Sequence, residues 1–148
     1  MLKPIAKIGN DTVKMHEFIK YALSDKELVL EKMADDTSFG KLIEETGVTV
    51  SEEEVQKEME ALKGQTDITY KTCLRSILHQ KAIDKYASEF KVAVEEARRY
   101  YENNRSYYGE TEPDFEKVES DMQMEMGVAE YEERLYKIQK EYKVSIIE

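Results

Sequence analysis

Apolar residues recur along most of this chain at helical spacing, and alternation is confined to its two ends. Ile5, Ala6, Lys7 and Ile8 alternate apolar with polar or small residues, which suits a short strand with one buried face. Gly9, Asn10 and Asp11 follow as a turn, since Gly and Asn/Asp tolerate the positive φ that tight turns demand. Val13, Met15, Phe18, Ile19 and Ala22 then fall at helical spacing, predicting a helix from near residue 14 to about residue 33. The polar run Asp35, Asp36, Thr37 and Ser38 predicts a break. Phe39, Leu42 and Ile43 open a short helix that Gly47 terminates.

Ser51 followed by Glu52, Glu53 and Glu54 has the form of a capping box. The Ser51 hydroxyl accepts from the Glu54 amide while the Glu54 carboxylate reaches back to the Ser51 amide. Three acidic residues also suit the positive end of a helix dipole. That helix carries Val55, Met59 and Leu62 and ends at Gly64. Tyr70, Cys73, Leu74, Ile77, Leu78 and Ala82 make the most regular apolar stripe of the chain, so this helix is expected at the centre of the fold. Residues 91–94 read as extended and 95–104 as helical. Thr111 and Asp114, around Pro113, form a second capping signature. Phe115, Val118, Met122, Met126 and Ala129, continued by Tyr131, Leu135, Ile138 and Tyr142, keep one face of a long helix with Gly127 as its bend. Residues 143–147 alternate again.

A lone short strand is unstable, so the two end strands are expected to pair and staple the termini across a helical body. The expected architecture is therefore mainly α and a single domain over residues 1–148. It comprises a strand at 5–8, a helical body at 13–142 and a strand at 143–147.

Composition narrows the function. The 22 Lys and Arg stand against 32 Asp and Glu, a net charge of −10, which disfavours nucleic acid and anionic membrane surfaces. No apolar stretch approaches the length of a membrane span. Cys73 is the one cysteine, so no internal disulfide or cysteine zinc site can form, and its place on the apolar stripe reads as a small buried hydrophobe. His16 and His79 are too few for most His-based sites, and neither stands three residues after a Glu, which removes the Glu-x-x-His di-metal motif. Acidic groups such as Glu52, Glu53 and Glu54, or Glu130, Glu132 and Glu133, read as solvated helix faces. No nucleophile motif and no phosphate-cradling glycine loop is present. The residues themselves point to no catalytic group, cofactor or metal.

Two features point to contact surfaces instead. Ten Tyr accompany four Phe and no Trp, with pairs at Tyr100–Tyr101 and Tyr107–Tyr108. Of seven Met, three cluster at Met122, Met124 and Met126, and their helical spacing keeps them from sharing one core. Met surfaces adapt to varied partners, and Tyr combines an apolar body with a polar tip. Tyr100, Tyr101, Tyr107, Tyr108, Met122, Met124 and Met126 are accordingly the candidate client-binding residues.

The run from Ile5 to Phe18 resembles the opening of the SurA/PrsA family of extracytoplasmic foldases, a strand reading roughly V-A-K-V-N-G-x-x-I-T-x-x-E-F. The stretch Val48 to Val55 is similar to the family's V-T-V-S-D-E-E-V. Leu74 to Tyr86 is similar to its L-x-x-x-L-L-x-Q-K-A helix, Lys91 to Asn104 to K-V-S-D-E-E-V-K-x-Y-Y-E-x-N, and Leu135 to Ile147 to the closing helix and strand. Ala93 and Val94 replace the family's Ser/Thr and Asp cap, a loss of roughly 1 kcal/mol. In family members with prolyl isomerase activity a parvulin domain follows the Y-Y-E-x-N helix. Here Asn104 leads within a few residues to Pro113 and the last helix. The resemblance thus implies the SurA N-terminal-like chaperone domain alone, without isomerase activity.

The expected function is a non-catalytic chaperone that holds unfolded or extended segments of secreted proteins in an apolar groove. A dimerising scaffold built on the same fold is the alternative. The family also carries a signal peptide, often with a lipid anchor, which is not recognisable at Met1-Leu2-Lys3-Pro4. The expected location is extracytoplasmic if a leader has been removed and cytoplasmic otherwise.

Overall fold

A computed structural model describes residues 4–15, 17 and 26–147. His16 and the helical positions Phe18, Ile19 and Ala22 lie outside these. The described chain is mainly helical with one small sheet. Strands β1 (Pro4–Ile8) and β2 (Asp11–Lys14) precede helices α1 (Lys26–Thr46), α2 (Glu52–Ala61), α3 (Tyr70–Ser88), α4 (Val94–Asn103), α5 (Arg105–Tyr108) and α6 (Phe115–Glu141). Strand β3 (Val144–Ile146) closes the order. Two compact units result, one of Met1–Glu45 with Glu133–Glu148, the other of Thr46–Glu132.

In the first unit the sheet has the order β2-β1-β3, antiparallel throughout. The end strands pair as expected, with Ala6 opposite Ile146 and Ile8 opposite Val144. The second strand, β2, corrects the expectation of a turn leading straight into helix. Ile8 faces Asp11 across a two-residue turn of Gly9 and Asn10, and Val13 faces Ala6. Gly9 adopts φ +60°, the conformation a glycine-first hairpin turn requires. A side chain there would also meet the Glu141 carbonyl at 2.8 Å. Thr12 and Val13 are β-branched and suit the added strand. Helix then starts close to the expected place, since Met15 and Glu17 are already helical and the Lys14 amide donates to the Glu17 carboxylate at 2.7 Å.

Alternation puts Ala6 and Ile8 inside and Lys7 outside. The inner face packs with Val13 onto Val29, Leu30, Met33 and Ala34 of α1. The break expected at residues 35–38 does not occur, and α1 runs through it. The Thr37 hydroxyl donates to the Met33 carbonyl at 2.8 Å and the Ser38 hydroxyl to the Ala34 carbonyl at 2.9 Å. Bonding back one turn satisfies these groups without leaving the helix. Gly47, at φ +69°, ends α1 as expected.

In the second unit the Ser51–Glu54 capping box forms in both directions and opens α2. Thr69 and Thr72 build a similar reciprocal pair at the start of α3. Lys81 of α3 donates to the Thr49 carbonyl at 2.8 Å and pairs with Glu54, and Lys85 donates to the Thr46 carbonyl. Two lysines one turn apart thus hold the segment between α1 and α2. Along α3 the buried positions are Cys73, Ala82, Ile83, Tyr86 and Ala87, so the inward face lies further along the helix than the expected stripe, and Tyr70 is exposed. Cys73 is buried, in keeping with a hydrophobe's role.

Helix α6 begins after Asp114, whose carbonyl accepts from the Lys117 and Val118 amides at 3.1 and 3.2 Å. The helix start therefore falls after Thr111, outside the expected Thr111–Asp114 cap. Gly127 lies within α6 where the helix meets α3. An added Cβ would stand 2.7 Å from Ala87 Cβ and 2.8 Å from both the Ala87 nitrogen and the Ile83 carbonyl oxygen. Close helix approach, which only glycine permits, accounts for this residue.

Candidate functional site: an apolar cleft between α4 and the start of α6

Helix α4 starts without a side-chain cap, because Ala93 has no acceptor to offer. Only the returning half of the box forms, the Ala93 amide donating to Glu96 at 3.1 Å. Val94, Ala97 and Tyr101 follow at spacings of three and four, so they share one face. After α5, Gly109 at φ +75° redirects the chain toward Pro113 and the start of α6. There Phe115 and Val118, three apart, present a second apolar face.

The two faces meet in a cleft of about 210 Å³ lined by Val94, Ala97, Arg98, Tyr101, Glu112, Pro113, Phe115 and Val118. Ala97, Val118 and Tyr101 form its buried floor and a small core of their own. Val94 and Phe115 stand at the rim, 59% and 41% exposed, large apolar side chains kept in contact with water. The volume lies below the roughly 300 Å³ at which small-molecule pockets begin, and above the roughly 150 Å³ that accepts a benzene ring. A single large apolar side chain matches that size.

Behind the cleft the tyrosines interlock. Tyr101 and Tyr108 rings lie 5.5 Å apart, and Tyr107 meets Tyr108 edge-on at 5.1 Å. The Tyr108 hydroxyl donates to Asp121 at 2.8 Å, and Lys117 donates to the same carboxylate at 3.0 Å. The Arg105 guanidinium stands 5.9 Å from the Tyr101 ring centre. Burial first, then a hydrogen bond to Glu125, pushes the Tyr100 hydroxyl up to about 12. Burial and Asp121 push Tyr108 up as well. These hydroxyls stay protonated at neutral pH and act as donors that tie α4 and α5 to α6.

The seven sequence-derived candidates do not converge on one surface. Tyr101 lines the cleft, Tyr100 and Tyr108 pack against its floor, and Tyr107 is largely exposed beside Tyr108. Met122 and Met126, one turn apart, are half-buried on one face of α6. Met124 is exposed elsewhere on that helix, with its sulfur 3.9 Å from the Gln80 amide nitrogen. Sequence reasoning missed Val94, Ala97, Phe115 and Val118 as site residues. Their signal was two short apolar faces on neighbouring helices, which read as ordinary core until the rim residues prove exposed.

Among the described residues no group of His, Cys, Asp and Glu is placed to hold a metal ion, and no helix is long and apolar enough to cross a membrane. His79 is exposed, its ring edge-on to Tyr131 at 4.6 Å. Compared with protein-family models, curated proteins and solved structures, the chain matches none.

Proposed function

We propose that this protein is a non-catalytic, chaperone-like module that holds extended segments of unfolded polypeptides by burying one large apolar side chain at a time between α4 and the start of α6. The observation that carries the reading is the half-exposed apolar cleft with Val94 and Phe115 at its rim. Burying one such client side chain yields roughly 1.5–3 kcal/mol. Ordering the client offsets much of that gain. Binding is therefore weak and quickly reversed, which suits holding and release without an energy source. The resemblance to the SurA/PrsA chaperone domain supports the same reading and an extracytoplasmic location. No isomerase chemistry is assigned to the chain.

The test is suppression of aggregation. A denatured model protein is diluted into buffer containing increasing amounts of this protein, and light scattering is followed. Suppression that is weakened by Val94→Asp or Phe115→Ser, in variants whose far-UV spectrum is unchanged, supports the reading. Absence of suppression even at large molar excess overturns it. A concentration-dependent dimer that suppresses nothing favours the scaffold alternative instead.

A further inference from the structure

The cleft's surroundings carry a charge that its apolar floor does not explain. Glu112, Pro113 and Phe115 of one wall belong to the segment from Gly109 to Glu116, in which Glu110, Glu112, Asp114 and Glu116 alternate with other residues and no Lys or Arg intervenes. All four are exposed, and two of them flank Phe115 at the rim. Among the described residues, Asp114 and Glu116 make no ion pair, and Glu112 interacts electrostatically with Arg105. Nearby cations make their close pairs elsewhere, Lys117 with Asp121 at 3.0 Å and Arg105 with Glu102 at 3.9 Å. Arg98, on the opposite wall, is the cation that lines the cleft. An apolar hole one side chain wide thus sits beside a strip of exposed carboxylates that outnumber the cations near them.

Resting on the proposed peptide-holding function, we propose that the preferred occupant is a polypeptide segment in which a single large apolar residue is flanked by Lys or Arg. The apolar side chain enters between Val94 and Phe115, and the flanking cations lie over Glu112, Asp114 and Glu116. Side chains two positions to either side of an anchor in an extended segment share its face and lie about 6.6 Å from it, since residues advance about 3.3 Å each and successive side chains alternate faces. Glu112 lines the cleft, and Asp114 and Glu116 adjoin the rim residue Phe115 in the chain. Exposed pairs of this kind are individually weak, so they select among clients and steer their approach, while the apolar anchor supplies the hold.

The experiment measures binding of three labelled Gly/Ser peptides by fluorescence anisotropy. Each has one central Phe, with two Lys, two Ser or two Glu placed two residues to either side of it. The expected order is Lys over Ser over Glu. The Lys peptide binds on the order of tenfold tighter than the Ser peptide at low salt. The gap closes in roughly 1 M salt, where screening extends over only a few ångströms. A variant carrying Glu112→Gln, Asp114→Asn and Glu116→Gln closes it at low salt too. Asn serves as well as Asp at a helix start, so the fold is kept.

Equal binding of all three peptides overturns the charge preference while leaving the apolar cleft as the holding site. A Lys preference that survives in the triple variant also overturns it, because the selecting charges then lie elsewhere. Failure of the folded protein to bind any peptide overturns both this proposal and the peptide-holding function.

Discussion

Gly127→Ala and Gly40→Ala place the same methyl group on two helices with opposite consequences. In α6, the added Cβ at position 127 would stand 2.7 Å from Ala87 Cβ, against an optimum of about 3.5–4.0 Å for carbon pairs. The other two close atoms, the Ala87 nitrogen and the Ile83 carbonyl oxygen, both at 2.8 Å, belong to the α3 backbone and cannot rotate aside. Relief therefore requires α3 and α6 to separate locally by roughly 1 Å, judged from the same contact optimum. That movement strains the Gln123 side-chain bond to the Phe90 carbonyl, 2.8 Å long, and the edge contact of His79 with Tyr131.

Overpacking of this kind costs about 1–3 kcal/mol. Alanine's higher helix propensity returns about 1 kcal/mol of it. With two of the three clashes against backbone, the upper part of the range applies, and Gly127→Ala is expected to destabilise by about 1–2 kcal/mol. A Cβ on Gly40 of α1 has nothing within 4 Å, so Gly40→Ala keeps the propensity gain and stabilises by up to about 1 kcal/mol. Urea denaturation followed by helical circular dichroism reads both changes, at constant m-value. Adding Ala87→Gly to Gly127→Ala removes the Cβ–Cβ clash only, so partial coupling between the two sites is expected. A Gly127→Ala variant as stable as the parent would refute the close approach of α3 and α6.

The remaining expectations follow from caps and titrating groups. Ala93 already holds φ −76° and ψ 152°, nearly the values of the functioning cap Ser51, so Ala93→Ser should stabilise by about 1 kcal/mol in thermal or urea unfolding. A loss of stability would show that the start of α4 is not poised for a cap. The Glu54 carboxyl is held down to about 2, chiefly by Lys81 and then by the Ser51 amide. A depressed carboxyl stabilises the fold above its ordinary value near 4.5, and that support is lost as pH falls from there toward 2. Glu54→Gln should flatten this acid limb, and an unchanged limb in urea titrations across pH would count against the Lys81–Ser51 arrangement. Tyr100, pushed up to about 12, favours the folded state while neutral, a contribution complete below pH 10 and lost between 10 and about 12. Phenolate absorbance should therefore show a fraction of tyrosines that ionises only as the protein unfolds in alkali, and this fraction should shrink in Tyr100→Phe.

Local chemistry made much of the fold legible. Ser51 with Glu54 marks a helix start because the partners lie three residues apart, and Gly47 marks an end because it alone takes a positive φ freely. The alternating ends pair because their unbonded edges have no other use. Two errors came from applying local rules to residues with two solutions. Asp35 to Ser38 read as a break, yet Thr37 and Ser38 satisfy their hydroxyls on carbonyls one turn back. Val13 read as helical, yet the Gly9–Asn10 turn folds it back onto Ala6 as a strand.

The candidate site divides along the same line. Its ingredients, two apolar faces at helical spacing and an acidic run beside Pro113, are properties of the linear chain. Periodicity reports that a face is apolar and is silent about what covers it. Burial depends on which segments, distant along the chain, come to lie against that face. Tyr101 on the floor, Val94 and Phe115 left at the rim, and the dispersal of Met122, Met124 and Met126 follow from how α4 and α6 pack. The sequence by itself determined most of the helices, the Ser51–Glu54 cap, the Gly47 stop, the paired termini and the acidic charge, because each depends on neighbours within a turn or on composition. Only the tertiary structure decided that Gly127 admits α3 and that an apolar cleft stays open, because both depend on distances between elements far apart in the chain.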